Sequence, residues 1–219
     1  MGAIDMKRRN PRITVAVILG VFAALLSLPV VDYLRDYVAG REDRFLYPLG
    51  FESGITGTPL GWACSLLVAA AFILFSVKGI PAVAKTWREV SFLKVLSIYA
   101  AIVAAIVEEA FFRRVVMDMV AEAEGAVWIQ VATSAAVFGV AHALWGLIRL
   151  SLNAALKTTI ATGIMGFGLA VVYVLSDRSL APCIVCHFLI VATLEPGLMI
   201  AAVTGQWGGG AGRAQRIEA

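Results

Sequence analysis

Histidine occurs twice in 219 residues, cysteine three times, and charged residues make up only 15% of the chain. These scarcities exclude a good deal. Sparse charge, set against 60% hydrophobic residues and a mean hydropathy of +0.87, excludes a soluble domain, which is about 45–50% apolar. The net charge of +3 carries no nucleic-acid footprint. Three cysteines do not make a disulfide framework. Cys183 and Cys186 are three apart on one helical face, where a bridge forms only with strain, and Cys64 has no evident partner. His142 and His187 form no H-E-x-x-H pair, so no zinc site is arranged in advance on one helix. Tandem repeats and long linkers are absent as well.

What is present is a series of apolar runs. Six approach the roughly 20 residues that span a bilayer as a helix: Ile13–Val31, Leu60–Val77, Val95–Phe112, Ala126–Ile148, Thr159–Leu175 and Leu180–Val203. The expected fold is an all-α polytopic membrane bundle of about six transmembrane helices plus short interfacial helices. The first run follows Lys7, Arg8, Arg9 and Arg12 as a signal peptide would. Its apolar core is longer than usual and no small-x-small site follows closely, so it reads as an uncleaved span.

Loop charge sets the orientation. With the N-terminus inside, twelve Lys and Arg fall on the cytoplasmic side and six on the other, out of 18 in all. This predicts cytoplasmic termini in a bacterial inner (plasma) membrane. Residues 1–12 read as a basic cytoplasmic segment, 13–203 as one membrane domain with its catalytic half at 92–203, and 204–219 as a flexible tail. An exposed loop is expected over 32–59. Residues 79–94 read as an amphipathic surface segment starting at Pro81, with Trp87 at the interface.

Ionisable groups inside a span are costly and suggest function by default. The third run ends "YAAIVAAIVEEAFFRRVVMD". Glu109 and Arg113 are i,i+4 neighbours and can pair. Glu108 points about 100° away and is left for other work, such as that of a general base. The plainer reading is a solvated Glu/Arg cluster at a helix end. His142 in "AAVFGVAHALWG" and His187 in "CIVCHFLIV" are the only histidines, both in apolar runs. One such histidine suggests packing. Two, on helices separate from the Glu pair, suggest a shared water-activating or metal site.

The order of these motifs resembles the CPBP family of intramembrane proteases, which includes the CAAX prenyl endopeptidases and the Abi-type proteins. E-E-x-x-F-R stands at Glu108–Arg113, F-x-x-x-H at Phe138–His142, and "LAP" five residues before His187. The likeness covers about residues 92–195. It implies an α-bundle of eight helices or fewer with its site inside the membrane. It also implies that Glu108 activates water, that Glu109 and Arg113 hold the site together, that His142 assists and that His187 stabilises the oxyanion. The family's Asn four residues after the second histidine is Val191 here, which donates no hydrogen bond. Asn153, Thr193 and Glu195 are the candidate substitutes. Glu195, before Pro196, either ends its helix or supplies that polar group, and the helix-ending reading is favoured.

The resemblance leaves the cofactor open. Glu108, His142 and His187 form a possible Zn²⁺ set with one open position, or they work on water alone; the absence of a paired motif favours no cofactor. C-x-x-C-H at 183–187 spells a haem attachment sequence, but it lies in an apolar span and its histidine already has a role, so no haem is expected. Gly163, Gly166 and Gly168 suggest close helix packing. The expected partners are the lipid bilayer and a membrane-embedded or membrane-anchored protein substrate. The expected activity is therefore endopeptidase hydrolysis within the membrane. The rivals are a catalytically silent scaffold or immunity protein, favoured by Val191, and a proton-coupled transporter, for which inverted-repeat symmetry is missing.

Overall fold

The computed structural model describes residues 10–41 and 57–207. Among these residues all regular secondary structure is helical. Lipid offers the backbone no hydrogen bonds, so a spanning segment must satisfy its own amides, as an α-helix does. In chain order the helices are α1 (Pro11–Val38), α2 (Pro59–Gly79), α3 (Pro81–Thr86) and α4 (Phe92–Glu109). A π-helical turn, Ala110–Val115, leads from α4 into α5 (Val116–Glu122). There follow α6 (Val127–Leu147), α7 (Leu152–Leu175) and α8 (Ala181–Thr204). With Phe92–Glu122 counted as one rod, six segments of the described residues are long and apolar enough to cross a membrane.

Local sequence sets the helix starts. Asn10, Thr58, Ser91 and Ser151 each accept a bond from a first-turn amide of α1, α2, α4 and α7, which relieves donors the helix leaves unpaired. Pro11, Pro59 and Pro81 stand at helix starts, where a missing N–H costs nothing. Gly205, at φ +77°, closes α8.

Several expected boundaries move. α1 runs past Val31 to Val38, so the start of the expected 32–59 loop is helical. Asp32 pairs with Arg35 and Asp36 with Arg41, which lets the charged end continue the helix. The part of that loop at 42–56 lies outside the described residues, as do residues 1–9 of the basic segment and 208–219 of the tail. α7 starts at Leu152, seven residues before the apolar run. The segment at 79–94 does begin a helix at Pro81, but protein holds it. Val83 is fully buried, and a Cβ on Gly197 of α8 would lie 2.5 Å from the Val83 Cα. Trp87 packs against the main core.

The helix-ending reading of Pro196 is also corrected: α8 continues through it to Thr204. Proline there removes the amide that would bond the Ala192 carbonyl. Lys94 of α4 supplies the donor instead, its Nζ 2.9 Å from the Ala192 O and 2.8 Å from the Thr193 O. The break is thus capped from a neighbouring helix.

The main core joins α2, the π turn, α6, α7 and α8 around Phe138, Leu169, Tyr173, Cys183 and Cys186. All three cysteines are free thiols. The close-packing reading of the glycines is visible between α6 and α7. A Cβ on Gly139 would stand 2.6 Å from the Thr159 O and 3.1 Å from the Gly163 Cα. Gly166 likewise gives way to the Phe138 ring, at 3.1 Å from its Cβ. At the end of the bundle shared by α5 and the α7–α8 connection, Asp118 pairs with Arg114 (3.3 Å) and Arg178 (2.7 Å). Arg178 also donates to the Gln130 Oε1 at 2.5 Å. Asp177 and Arg178 both adopt left-handed backbone, at φ 52° and 59°, which only a tightly determined turn sustains in non-glycine residues.

Candidate active site

Three helices deliver the charged side chains. α4 carries Glu108 and Glu109, α6 carries His142, and α8 carries His187. Glu109 is fully buried, as is Arg113. Arg113 Nε donates to Glu109 Oε2 at 2.8 Å and its Nη1 to Ser134 Oγ at 2.5 Å. Ser134 passes the chain on to the Phe112 carbonyl at 2.8 Å. That carbonyl lies in the π turn, where bonds of the i→i−5 type (Val116 N–H to Phe111 O) replace the α pattern and leave main-chain groups for side chains. Such turns recur at functional sites. The sequence pairing of Glu109 with Arg113 is met. The π turn and Ser134 carry no signal that sequence reading picked up.

The other oxygen of Glu109 faces α8. Its Oε1 lies 2.7 Å from His187 Nδ1. A carboxylate held by an arginine only accepts, so His187 Nδ1 bears the hydrogen and its Nε2 turns the other way. His142 is fixed similarly: its Nδ1 is 2.8 Å from the Phe138 carbonyl, again an acceptor. Its ring stacks on Phe138 at 4.2 Å between centroids and 24° between planes. Phe138 is itself clamped by Gly166 and by Arg113, whose guanidinium lies 5.0 Å from the ring centre.

Both Nε2 atoms therefore point at Glu108. Its Oε2 lies 3.4 Å from His142 Nε2 and 3.9 Å from His187 Nε2. That oxygen is buried and makes no hydrogen bond. The 3.4 Å contact falls within ion-pair range but lacks hydrogen-bond alignment. Groups this close can all reach one water or reacting atom seated beside them in the cavity. Side-chain exposures of 12% for Glu108 and 15% for His142 open the pair onto a cavity of about 330 Å³. Apolar residues dominate its wall, among them Phe72, Phe75 and Trp145; His187, Val191 and Glu195 line it from α8.

The structure thus brings Glu108, His142, His187 and Glu195 to one cavity, and places Glu109 and Arg113 behind it. It does not bring Asn153 there, which is exposed at the start of α7, nor does Thr193 line the cavity. Among the described residues, no group of three or more His, Cys, Asp or Glu side chains is arranged to hold a metal ion, so no step is routed through one.

Residues 90–193 match the family model described as type II CAAX prenyl endopeptidase Rce1-like. No curated protein and no solved structure shows a significant match. The matched stretch contains the Glu pair, Arg113, both histidines and Val191, while α1, α2 and Glu195 fall outside it. The site geometry and the family match coincide on the same three helices, and residues 90–193, just under half of the chain, are similar to the Rce1-like type II CAAX prenyl endopeptidases, which supports an intramembrane protease of the CPBP family.

Proposed function

We propose that the protein hydrolyses a peptide bond in a lipidated or membrane-anchored protein, with Glu108 activating the attacking water. The carrying observation is the Glu108 Oε2, without a hydrogen bond, facing two imidazole Nε2 atoms at 3.4 and 3.9 Å inside an apolar cavity. A base must reach its water at about 2.6–3.2 Å, and a water seated in the cavity against the Glu108 carboxyl, beside the two rings, meets that requirement. The water oxygen bonds to the carbonyl carbon while its proton passes to Glu108. The carbonyl π pair moves onto oxygen. On collapse, the C–N bond breaks and the proton held by Glu108 goes to the leaving nitrogen, with His142 orienting the carboxyl. His187, tied to Glu109 and through it to Arg113, keeps the carbonyl side aligned.

The reading needs no metal, and it places both termini in the cytoplasm on the Lys/Arg distribution. One observation favours the silent-relative reading: Val191 lines the cavity one turn beyond His187 and offers no donor. The test is peptide release from a quenched-fluorescent CAAX peptide bearing a prenylated cysteine, by purified wild type and Glu108→Gln, with and without chelator. Loss of about 10²–10⁴-fold in the variant is expected, the usual share of a positioned base. Equal cleavage by both proteins sinks the assignment, and chelator-sensitive cleavage overturns the metal-free mechanism.

A further inference from the structure

Hydrolysis as proposed above leaves one requirement unmet. The oxyanion of the tetrahedral intermediate needs preorganised donors, and the groups around Glu108 supply acceptors. His142 and His187 both turn their Nδ1 atoms to protein oxygens, so in its neutral form each ring presents a lone pair at Nε2. Glu108, as base, presents another. Val191 and Ile190 line the cavity beside them with apolar side chains. Thr162 lines it too, but its hydroxyl donates to the Thr158 carbonyl at 2.8 Å. Ser76 of α2 is a further hydroxyl in the wall.

Glu195 remains. It follows Val191 by one helical turn, as Val191 follows His187, so the three share a face of α8. Helical side chains lean towards the N-terminus, which carries the Glu195 carboxyl back over Val191 towards His187. Its electrostatic neighbours are His142, Glu108 and His187. Lys157 of α7 lines the same cavity. Lys94, the nearby cation of α4, is engaged with the Ala192 and Thr193 carbonyls instead. Because α8 continues through Pro196 under that cap, Glu195 is held in the wall and does not turn away at a helix end.

We propose that Glu195 is a further catalytic residue, which in its carboxylic acid form donates a hydrogen bond to the developing oxyanion over the side chain of Val191. No proton is transferred from it, and its hydrogen returns to the resting position when the carbonyl re-forms. The inference rests on the protease reading but concerns the opposite side of the scissile carbonyl from Glu108.

The experiment uses the full chain and the same prenylated peptide. Glu195→Leu is expected to lower kcat by about 10²–10³-fold, the usual cost of one oxyanion donor, with KM little changed. Glu195→Gln keeps a donor and is expected to stay within about tenfold of wild type. It should also remove the fall in kcat at high pH that ionisation of an acid donor imposes. Adding Val191→Asn to Glu195→Leu should restore cleavage, which also shows that the variant is folded. Full activity in Glu195→Leu overturns the proposal, as does loss in Glu195→Gln that matches Glu195→Leu, or a loss found in Ser76→Ala in place of Glu195→Leu. If wild type and Glu108→Gln cleave alike, the base assignment falls, whereas the Glu195→Leu comparison still decides the donor. A wild type that releases no peptide from this probe overturns both.

Discussion

Arg113 is the most demanding residue to replace. Its guanidinium is fully buried, bonded to Glu109 and Ser134 and packed near the Phe138 ring. Arg113→Met keeps much of the volume but leaves Glu109 with His187 as its single partner. Breaking a buried pair from one side costs about 3–5 kcal/mol, because the surviving charge stays desolvated. At about 2–4 °C per kcal/mol for a chain of this size, the melting temperature should fall by roughly 6–20 °C. Glu109→Gln added to Arg113→Met should recover much of that loss: the glutamine oxygen still accepts from His187 Nδ1, and no lone charge remains. Thermal unfolding in detergent, followed by tryptophan fluorescence for the wild type, both singles and the double, completes the cycle. Additive losses, or a drop below about 1 kcal/mol for the arginine variant, would refute the buried-pair reasoning.

Gly139→Ala should destabilise by about 1–3 kcal/mol, since the new methyl meets the Thr159 carbonyl at 2.6 Å; an unchanged melting temperature would count against the α6–α7 contact. Lys94→Met should cost about 1.5–3 kcal/mol by uncovering two carbonyls at the Pro196 break, and Lys94→Arg should recover part of it. The Arg12 guanidinium, paired with Glu89 at 2.5 and 2.9 Å, holds the Glu89 carboxyl below its ordinary value of 4.5. A lowered folded value means that the contribution is complete above 4.5 and is lost as pH falls through the folded value. The stability gap between wild type and Glu89→Gln should therefore be present at neutral pH and close in acid; a gap that persists in strong acid would exclude this pair as its source.

The membrane class, the helix order and the charged residues of the site were legible because lipid admits few exceptions to apolar patterning, and because a carboxylate pair in an alanine-rich run has few innocent explanations. Glu109 and Arg113 could be paired from spacing alone. Helix ends were less legible. α1 continues to Val38 because its aspartates find arginines, and α8 passes Pro196 because Lys94 arrives from a distant part of the sequence; neither partnership leaves a local trace. For the same reason Ser134 and the carbonyl of Phe112 were invisible, since their use depends on a π turn that neighbouring helices select.

The π turn has a mechanical consequence. Each wide turn takes up an extra residue without advancing the helix, so the rod at 92–122 has two phases joined by a slip. Its first part is keyed to the histidines, and its last part, through Asp118, to Arg178. Were the same residues between Ala110 and Val115 wound as regular α-helix, Asp118 would be turned by about 100° relative to Glu108. The two ends of the rod could then not both meet their partners. The slip is what allows the Glu108 cavity and the distant Asp118–Arg178 lock to be satisfied by a single continuous helix.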